Sequence, residues 1–398
     1  MLLTVVRHRN DSGEPTMTFL NLDERYRSLQ QDAAALAERL APIAIEADNS
    51  NELHDGVVEL VRDSGLMSLM VPAEYAGTGF ASQELSLDPV AVCIVREALM
   101  GECSHADSLF ALQGIGSFAI TRGGTDEQRA EWLPRVATGE VLAGLALTEP
   151  VAGSDLKSIT TTVTERSGEL VVNGHKAFIS NAGAAGFYTT LVKEEAGLSV
   201  VLIPADTPGI STSPAPELIA PHVLGDVVFD NVVLPSSARL GEPGKGLDLV
   251  LSTLAMFRIS VAAASVGLGQ TALEEATRHA RTREQFGRPL NRLGPVAGLL
   301  ADSWADLEST RLLTYRAAEL AKDDPLAHLE HSSLAKLAAT EACCRIVDRC
   351  VQVMGRWGII RDSRIERCYR QARPMRIYEG ASEVLRLGIS RRLSEEVI

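Results

Sequence analysis

Positive charge is scarce in this 398-residue sequence: 38 Lys and Arg stand against 52 Asp and Glu, a formal net charge of −14. Non-specific nucleic-acid binding needs a basic surface, so that class of function is excluded. An anionic ligand must be held by locally placed Arg or Lys, or by backbone N–H groups. Aromatics are also few, at 5%, while Ala and Leu abound, which favours helix packing over an all-β fold. The six cysteines, Cys93, Cys103, Cys343, Cys344, Cys350 and Cys368, have no CxxC spacing and no His cluster beside them. Zinc and a disulfide framework are thereby excluded, and the thiols are expected to be reduced and mostly buried in an intracellular protein. The N-terminal apolar run is too short for a signal-peptide core and lacks a small-residue cleavage site. No stretch approaches the ~18 apolar residues of a membrane span. The chain is expected to be soluble and cytoplasmic, with residues 1–17 a flexible tail and Met17 an alternative start.

What is present is ordinary globular composition, 45% hydrophobic and 23% charged, in a chain long enough for two or three domains. Residues 18–144 have helical texture: Tyr26, Leu29, Ala33, Leu36 and Leu40 recur at three and four, as do Leu53, Val57, Leu60 and Val61. Asp23 and Asn51 are candidate helix caps, and Val71–Gly77 interrupts the pattern as a loop. From 145 to 243 the texture is β. Thr160–Thr164 alternates and is followed by a Ser167-Gly168 turn, and Asn173-Gly174 is a second hairpin signal. Further strands are expected over Phe187–Val192, Leu198–Ile203 and Val227–Leu234. From 244 to 398 the period is helical again, in long segments, one of which ends at Gly355. No internal repeat is present.

Four segments carry chemistry. Leu147-Thr148-Glu149-Pro150-Val151-Ala152-Gly153-Ser154-Asp155 is a hydroxyl–acid–Pro turn running into a Gly-Ser loop. Such a loop brings backbone N–H groups and hydroxyls close to a ligand, although a polar turn entering a strand reads the same way. Asn173-Gly174-His175-Lys176-Ala177-Phe178-Ile179-Ser180 carries an aromatic and, two residues on, a hydroxyl on one face; this is a wall for a flat heterocycle, or simply a half-buried strand. Arg283-Glu284-Gln285-Phe286-Gly287-Arg288 closes a long helix, where an Arg complements the dipole or holds a pyrophosphate. The fourth runs from Gln352-Val353-Met354-Gly355-Arg356 to Tyr378-Glu379-Gly380-Ala381-Ser382. A Glu between an aromatic and a glycine acquires a raised pKa when desolvated, which suits a general base. Gly241-Glu242-Pro243-Gly244-Lys245-Gly246 lacks the Lys-Ser/Thr ending of a P-loop, and His328 and His331 read as a solvated face. His175 reads as a turn residue, and no metal site is expected.

In this order and at these separations the four segments resemble the acyl-CoA dehydrogenase family over residues 18–398. Val71–Gly79 and Gly124–Gln128 are similar to recurring loops of that family. The resemblance implies a mainly α fold with an inserted domain: an N-terminal α-helical domain, a middle antiparallel β-barrel-like domain and a C-terminal four-helix bundle. It implies FAD as cofactor, lying between the β domain and the bundle and partly across a subunit interface of a homodimer or homotetramer. Leu147, Thr148 and Ser154 would contact the flavin or thioester, and Phe178, Ile179 and Ser180 would flank the isoalloxazine. Arg283 and Gln285 would hold the diphosphate, and Gln352, Gly355 and Ser382 would complete the cofactor site. Ser154, Arg258, Gly380 and Arg386 would lie along the substrate.

Glu379 matches the family's most frequent base position. The implied reaction removes the α-proton to Glu379 and passes the β-hydride to flavin N5, converting acyl-CoA to trans-2-enoyl-CoA. Electron-transfer flavoprotein or oxygen would be the electron acceptor. The residue before Arg258, another base position in the family, is Phe257. Three departures from the family pattern are Arg356 in place of a glycine, Leu293-Gly294 in place of an aromatic-or-His plus Gln pair, and Ala381 in place of Thr. Alternatives are an acyl-carrier-protein-linked desaturase or oxidase of the same family, and a silent flavin- or acyl-binding protein. A carrier protein would need a basic patch, for which Arg356, Arg361, Arg364, Arg367, Arg370 and Arg373 are candidates unless the chain's own acids pair with them. Phe118 is expected at the floor of the acyl pocket, shortening it.

Overall fold

A computed structural model describes residues 23–76, 80 and 85–396. The expected tail over 1–17 and the segment Gly77–Gly79 lie outside these residues. The first helical layer comprises α1 (Glu24–Leu40), α2 (Ala44–Asp48), α3 (Asp55–Asp63), α4 (Ala73–Ala76), α5 (Pro89–Met100), α6 (Ser104–Gly123) and α7 (Asp126–Ala137). Asp23 caps α1, accepting from the Tyr26 N–H at 3.1 Å. Asn51 does not cap α3; His54 does, its Nδ1 accepting from the Val57 N–H at 3.4 Å. An imidazole nitrogen substitutes for the usual hydroxyl or carboxylate there. Thr125 and Gln128 form a reciprocal capping box on α7. The stretch expected as a loop after Val71 contains the single turn of α4.

The middle of the chain forms β1 (Ala143–Ala146), β2 (Thr162–Arg166), β3 (Glu169–Ser180), β4 (Phe187–Glu194), β5 (Gly197–Pro204), β6 (Ile210–Pro214), β7 (Leu224–Pro235) and β8 (Arg239–Leu240). They form one sheet in the order β6-β7-β3-β2-β4-β5-β8, with β1 added beside β4. The expectation of an antiparallel domain needs correcting at β4, to which both β1 and β2 run parallel. Ser167-Gly168 is a hairpin turn, both residues at positive φ. Asn173-Gly174 is not a turn. It lies inside β3 at a register irregularity between Val172 and Gly174. The glycine is required by crowding, since a Cβ there would come within 2.3 Å of Thr161 Oγ1. His175, accordingly, is a strand residue, its Nε2 2.8 Å from Asp226 Oδ2.

The remainder contains α8 (Gly246–Thr282), a hairpin of β9 (Glu284–Gln285) and β10 (Arg288–Pro289), then α9 (Gly294–Leu320), α10 (Leu329–Met354), α11 (Arg364–Met375) and α12 (Ser382–Glu396). The expectation that no stretch reaches membrane-spanning apolarity fails for α8. It has an 18-residue window of mean hydropathy 1.8, of which 89% is buried inside the protein. It is a core helix, apolar all round because other elements surround it. α8 packs on α5, α6, α9, α10, α11 and β5. Small residues allow this: a Cβ at Gly267 would lie 2.0 Å from the Glu97 carbonyl, and one at Gly246 would lie 2.4 Å from the Ser199 backbone. The Gly246 end of the Gly241–Gly246 loop is therefore packed on β5, while Gly241, Glu242, Pro243 and Lys245 are exposed. All six cysteines are free thiols, five of them buried and Cys344 half-buried.

Candidate active site

The turn between α11 and α12 presents Glu379. The N–H groups of Ile377 and Tyr378 both donate to the Pro374 carbonyl, at 2.8 and 3.1 Å, and the Ser382 N–H returns to the Arg376 carbonyl at 3.1 Å. Between these fixed points Glu379 has φ +56° and Gly380 φ +104°. A left-handed glutamate is uncommon and persists only where its surroundings determine it. Two buried cations do so: Arg258 Nε donates to the Glu379 carbonyl and Lys336 Nζ to the Gly380 carbonyl, each at 2.8 Å. The N–H groups of Glu379, Gly380 and Ala381 take no hydrogen-bond partner among the described residues.

The Glu379 carboxylate is buried at its Oε2 atom, which has no hydrogen-bond partner. Burial raises its pKa above the ordinary carboxylate value, against the pull of Arg258, Lys336 and Arg96. Arg96 is itself held by Asp107, at 2.9 Å through Nε and 2.6 Å through Nη2. An ionisable oxygen with no internal partner, in a desolvated site, is available to a substrate proton.

The first two flavin-type segments meet. The Ala177 N–H donates to the Thr148 carbonyl at 2.9 Å, and Lys176 Nζ binds the Leu147 carbonyl at 3.0 Å and Glu149 Oε1 at 2.9 Å. Both charged side chains are fully buried. Glu149 also accepts from the Thr160 N–H and hydroxyl and from the Thr161 N–H. Burial alone would raise its pKa, but these donors hold it down at about 2. Above this clamp the loop is open: Val151 and Ser154 are exposed, and nothing lies within 4 Å of a Cβ at Gly153. Phe178, at φ +56°, is 53% exposed while Ile179 is 2% exposed. Phe178 thus projects outward, whereas Ile179 offers only its backbone because its side chain lies in the β-domain core. Ser180 is half-buried, with Oγ 3.1 Å from His222 Nε2.

Arg283 ends α8, and Phe286, 89% exposed, forms the tip of the β9–β10 hairpin. Arg283, Gln285, Gln352 and Gly355 are all exposed. Ser382 is buried at the start of α12. Arg386 is half-exposed, 3.5 Å from Glu341. Of the departures, Arg356 lies over the Trp357 ring at 5.3 Å, Gly294 opens α9 and Ala381 precedes α12. Phe257 is fully buried, edge-on to Phe118 at 6.0 Å between ring centres. His328, Glu330 and His331 gather within 4.8 Å of one another, part-exposed, at the start of α10. Sequence reasoning missed Lys336, Arg96 with Asp107, and the Glu149–Lys176 clamp. Lys336 shares a buried stripe with Ser332 and Thr340, a burial that the polar residues of that stripe do not signal.

Three family models match: acyl-CoA dehydrogenase N-terminal domain over residues 23–140, middle domain over 144–232 and C-terminal domain over 244–394. The chain belongs to the acyl-CoA dehydrogenase family. It is 32% identical over 368 residues to a cyclohexane-1-carbonyl-CoA dehydrogenase of Geobacter metallireducens, covering 91% of this chain and 95% of that one. Butyryl-CoA dehydrogenase from Megasphaera elsdenii has a similar structure, with a TM-score of 0.88 at 27% identity over 95% of this chain and 100% of its own. An acyl-CoA dehydrogenase complexed with FAD from Bacillus anthracis superposes with a TM-score of 0.87 at 26% identity, over 95% of this chain and 68% of that one. The protein is an FAD-dependent oxidoreductase of this family, with the N-terminal helical, middle β and C-terminal helical domains the sequence implied. The residues present fit FAD: an outward aromatic at Phe178, an open Gly-Ser loop, and exposed Arg283 and Gln285 for a diphosphate.

Proposed function

We propose that the protein catalyses α,β-dehydrogenation of an acyl-CoA thioester, with Glu379 as the base that takes the α-proton. The observation carrying this reading is the buried, unpartnered Oε2 of Glu379 beside a run of free backbone N–H groups. An unactivated α C–H is far too weakly acidic for a carboxylate. Donors from the 379–381 backbone to the thioester carbonyl would stabilise the charge that develops on its oxygen. Exclusion of water strengthens those hydrogen bonds and brings the proton affinity of Glu379 closer to that of the activated substrate. Leu147, Thr148, Ser154, Phe178, the Ile179 backbone, Ser180 and Ser382 would hold FAD from one chain. Arg283, Gln285, Gln352 and Gly355 would complete its site, in a homo-oligomer, from a neighbouring one. Bound FAD supplies the acceptor for the β-hydrogen and its electron pair. Ser154, Gly380 and Arg386 would line the substrate, while Arg258, bonded to Glu379 and Ser333, would act on it through the loop.

A CoA thioester is favoured over an acyl carrier protein by the pairing of three of the candidate arginines. Arg364 binds Glu102 at 2.5 Å, Arg367 binds Asp48 at 2.8 Å and Arg370 binds Glu366 at 2.7 Å. Those charges are spent within the chain. The test is anaerobic mixing of the FAD-loaded protein with a panel of acyl-CoAs and acyl-carrier proteins. Bleaching of the flavin by an acyl-CoA is expected. Bleaching by carrier-bound substrates alone would overturn the CoA assignment, and bleaching by neither would overturn dehydrogenation.

A further inference from the structure

Most buried cations of this protein are matched by a carboxylate. Arg96 has Asp107, Lys176 has Glu149 and Arg367 has Asp48. Arg258 and Lys336 are the exceptions: each is buried, and among the described residues neither forms an ion pair. Arg258 bonds the Glu379 carbonyl and Ser333 Oγ, and Lys336 bonds the Gly380 carbonyl. Pinning a carbonyl does not need a charge, because a hydroxyl or amide would serve. Burying an ammonium without an ion-pair partner is costly, and the cost calls for a compensating charge nearby. Glu379 is that charge, on the same loop and itself without a hydrogen-bond partner at Oε2.

We propose that Lys336 is a positioning residue for the base: its ammonium pins the Gly380 carbonyl and supplies, with Arg258, the counter-charge against which Glu379 is ionised. This inference rests on the reading of Glu379 as the base. The two cations divide the work. Guanidinium does not deprotonate in proteins, so Arg258 is a fixed charge. Burial pushes Lys336 down to about 8, with Glu379 pulling it back up. The other groups facing Lys336 are Arg258, Glu341 and Glu383. Glu341 is engaged by Arg376 and Arg386, and Glu383 lies 3.8 Å from Arg386. Arg96, bound to Asp107, and Arg258 also act on Glu379. Lys336 is therefore the one variable cation in the cage, and its proton and that of Glu379 are thermodynamically coupled.

Coupling of this kind is reciprocal, which makes it testable from both ends. The Glu379 carboxyl is titrated by infrared difference spectroscopy of the holoenzyme, its band assigned by loss in Glu379→Gln. In Lys336→Met the midpoint is expected to rise by about one pH unit, a tenfold gain in proton affinity. In Lys336→Arg it stays near the wild-type value, which a merely structural role would not predict. The second arm needs no variant at 336 beyond signal assignment. The six lysines, Lys157, Lys176, Lys193, Lys245, Lys322 and Lys336, are labelled at 13Cε, and the Lys336 resonance is identified by its absence in Lys336→Arg. Its midpoint is expected to fall in Glu379→Gln by the same amount. If Lys336→Met does not fold, this arm decides alone. An unmoved midpoint in either arm overturns the proposal. Flavin bleaching by Glu379→Gln at the wild-type rate would instead overturn the base assignment, leaving the coupling measurement intact.

Discussion

Arg258 donates through Nε to the Glu379 carbonyl at 2.8 Å and through Nη1 to Ser333 Oγ at 3.2 Å. The guanidinium holds the base by its backbone and leaves the carboxylate unbonded. A direct ion pair would fix the carboxylate more firmly and would also lower its proton affinity, which a base for a weak carbon acid cannot tolerate. Arg258→Met removes the pin and lets the left-handed turn relax. The expected result is a tenfold or greater loss in the rate of flavin reduction, on the order of 1–2 kcal/mol, with the FAD spectrum retained; an unchanged rate would remove Arg258 from the site.

Replacing Glu379 by Gln is expected to slow flavin reduction by roughly 10²–10⁴-fold, the range for losing a general base. In the wild type the rate should rise with pH through a midpoint above the ordinary carboxylate value, since only the ionised form takes a proton. A stopped-flow pH profile checks both.

Lys176→Met leaves Glu149 buried and short of a donor. The expected destabilisation is about 3–5 kcal/mol, accompanied by weaker FAD retention because the Leu147 carbonyl is released. Glu149 is held at about 2, so its contribution is present above the usual carboxylate range and fades as pH falls towards 2. Denaturant melts from pH 7 downward should show this acid limb in the wild type and lose it in Glu149→Gln.

Gly267→Ala would place a Cβ 2.0 Å from the Glu97 carbonyl, a backbone atom with nowhere to retreat. Helix propensity gains about 1 kcal/mol from alanine, and overpacking costs about 1–3 kcal/mol. A net loss of stability in a denaturant melt is expected; a more stable variant would show that α5 and α8 can separate.

The sequence made the architecture legible because its three textures, helical then β then helical, survive without tertiary information. It misplaced features where tertiary contact overrides local preference. Asn173-Gly174 has the composition of a hairpin turn, yet Thr161 presses on Gly174 inside a continuous strand. The apolar run of α8 was underestimated because its polar residues, Ser252, Thr253, Ser260 and Ser265, are themselves buried. Glu379 was legible as a lone carboxylate in a family position. Lys336 was not, since a single lysine in a helix reads as solvent-facing until its neighbours are known.

The central place of α8 has a consequence for synthesis. α5 is buried over nearly its whole circumference, and α8 supplies part of that cover through Ser260, Gly267 and Thr271. Translation completes α5 at Met100 but does not reach Gly246–Thr282 until the entire β domain has been made. At ~5–20 residues per second, the nascent first domain waits on the order of ten seconds or more with apolar surface uncovered. Until its partner helix emerges, the ribosome-bound chain thus presents the apolar α8-facing side of α5, the kind of transiently exposed surface that chaperones shield.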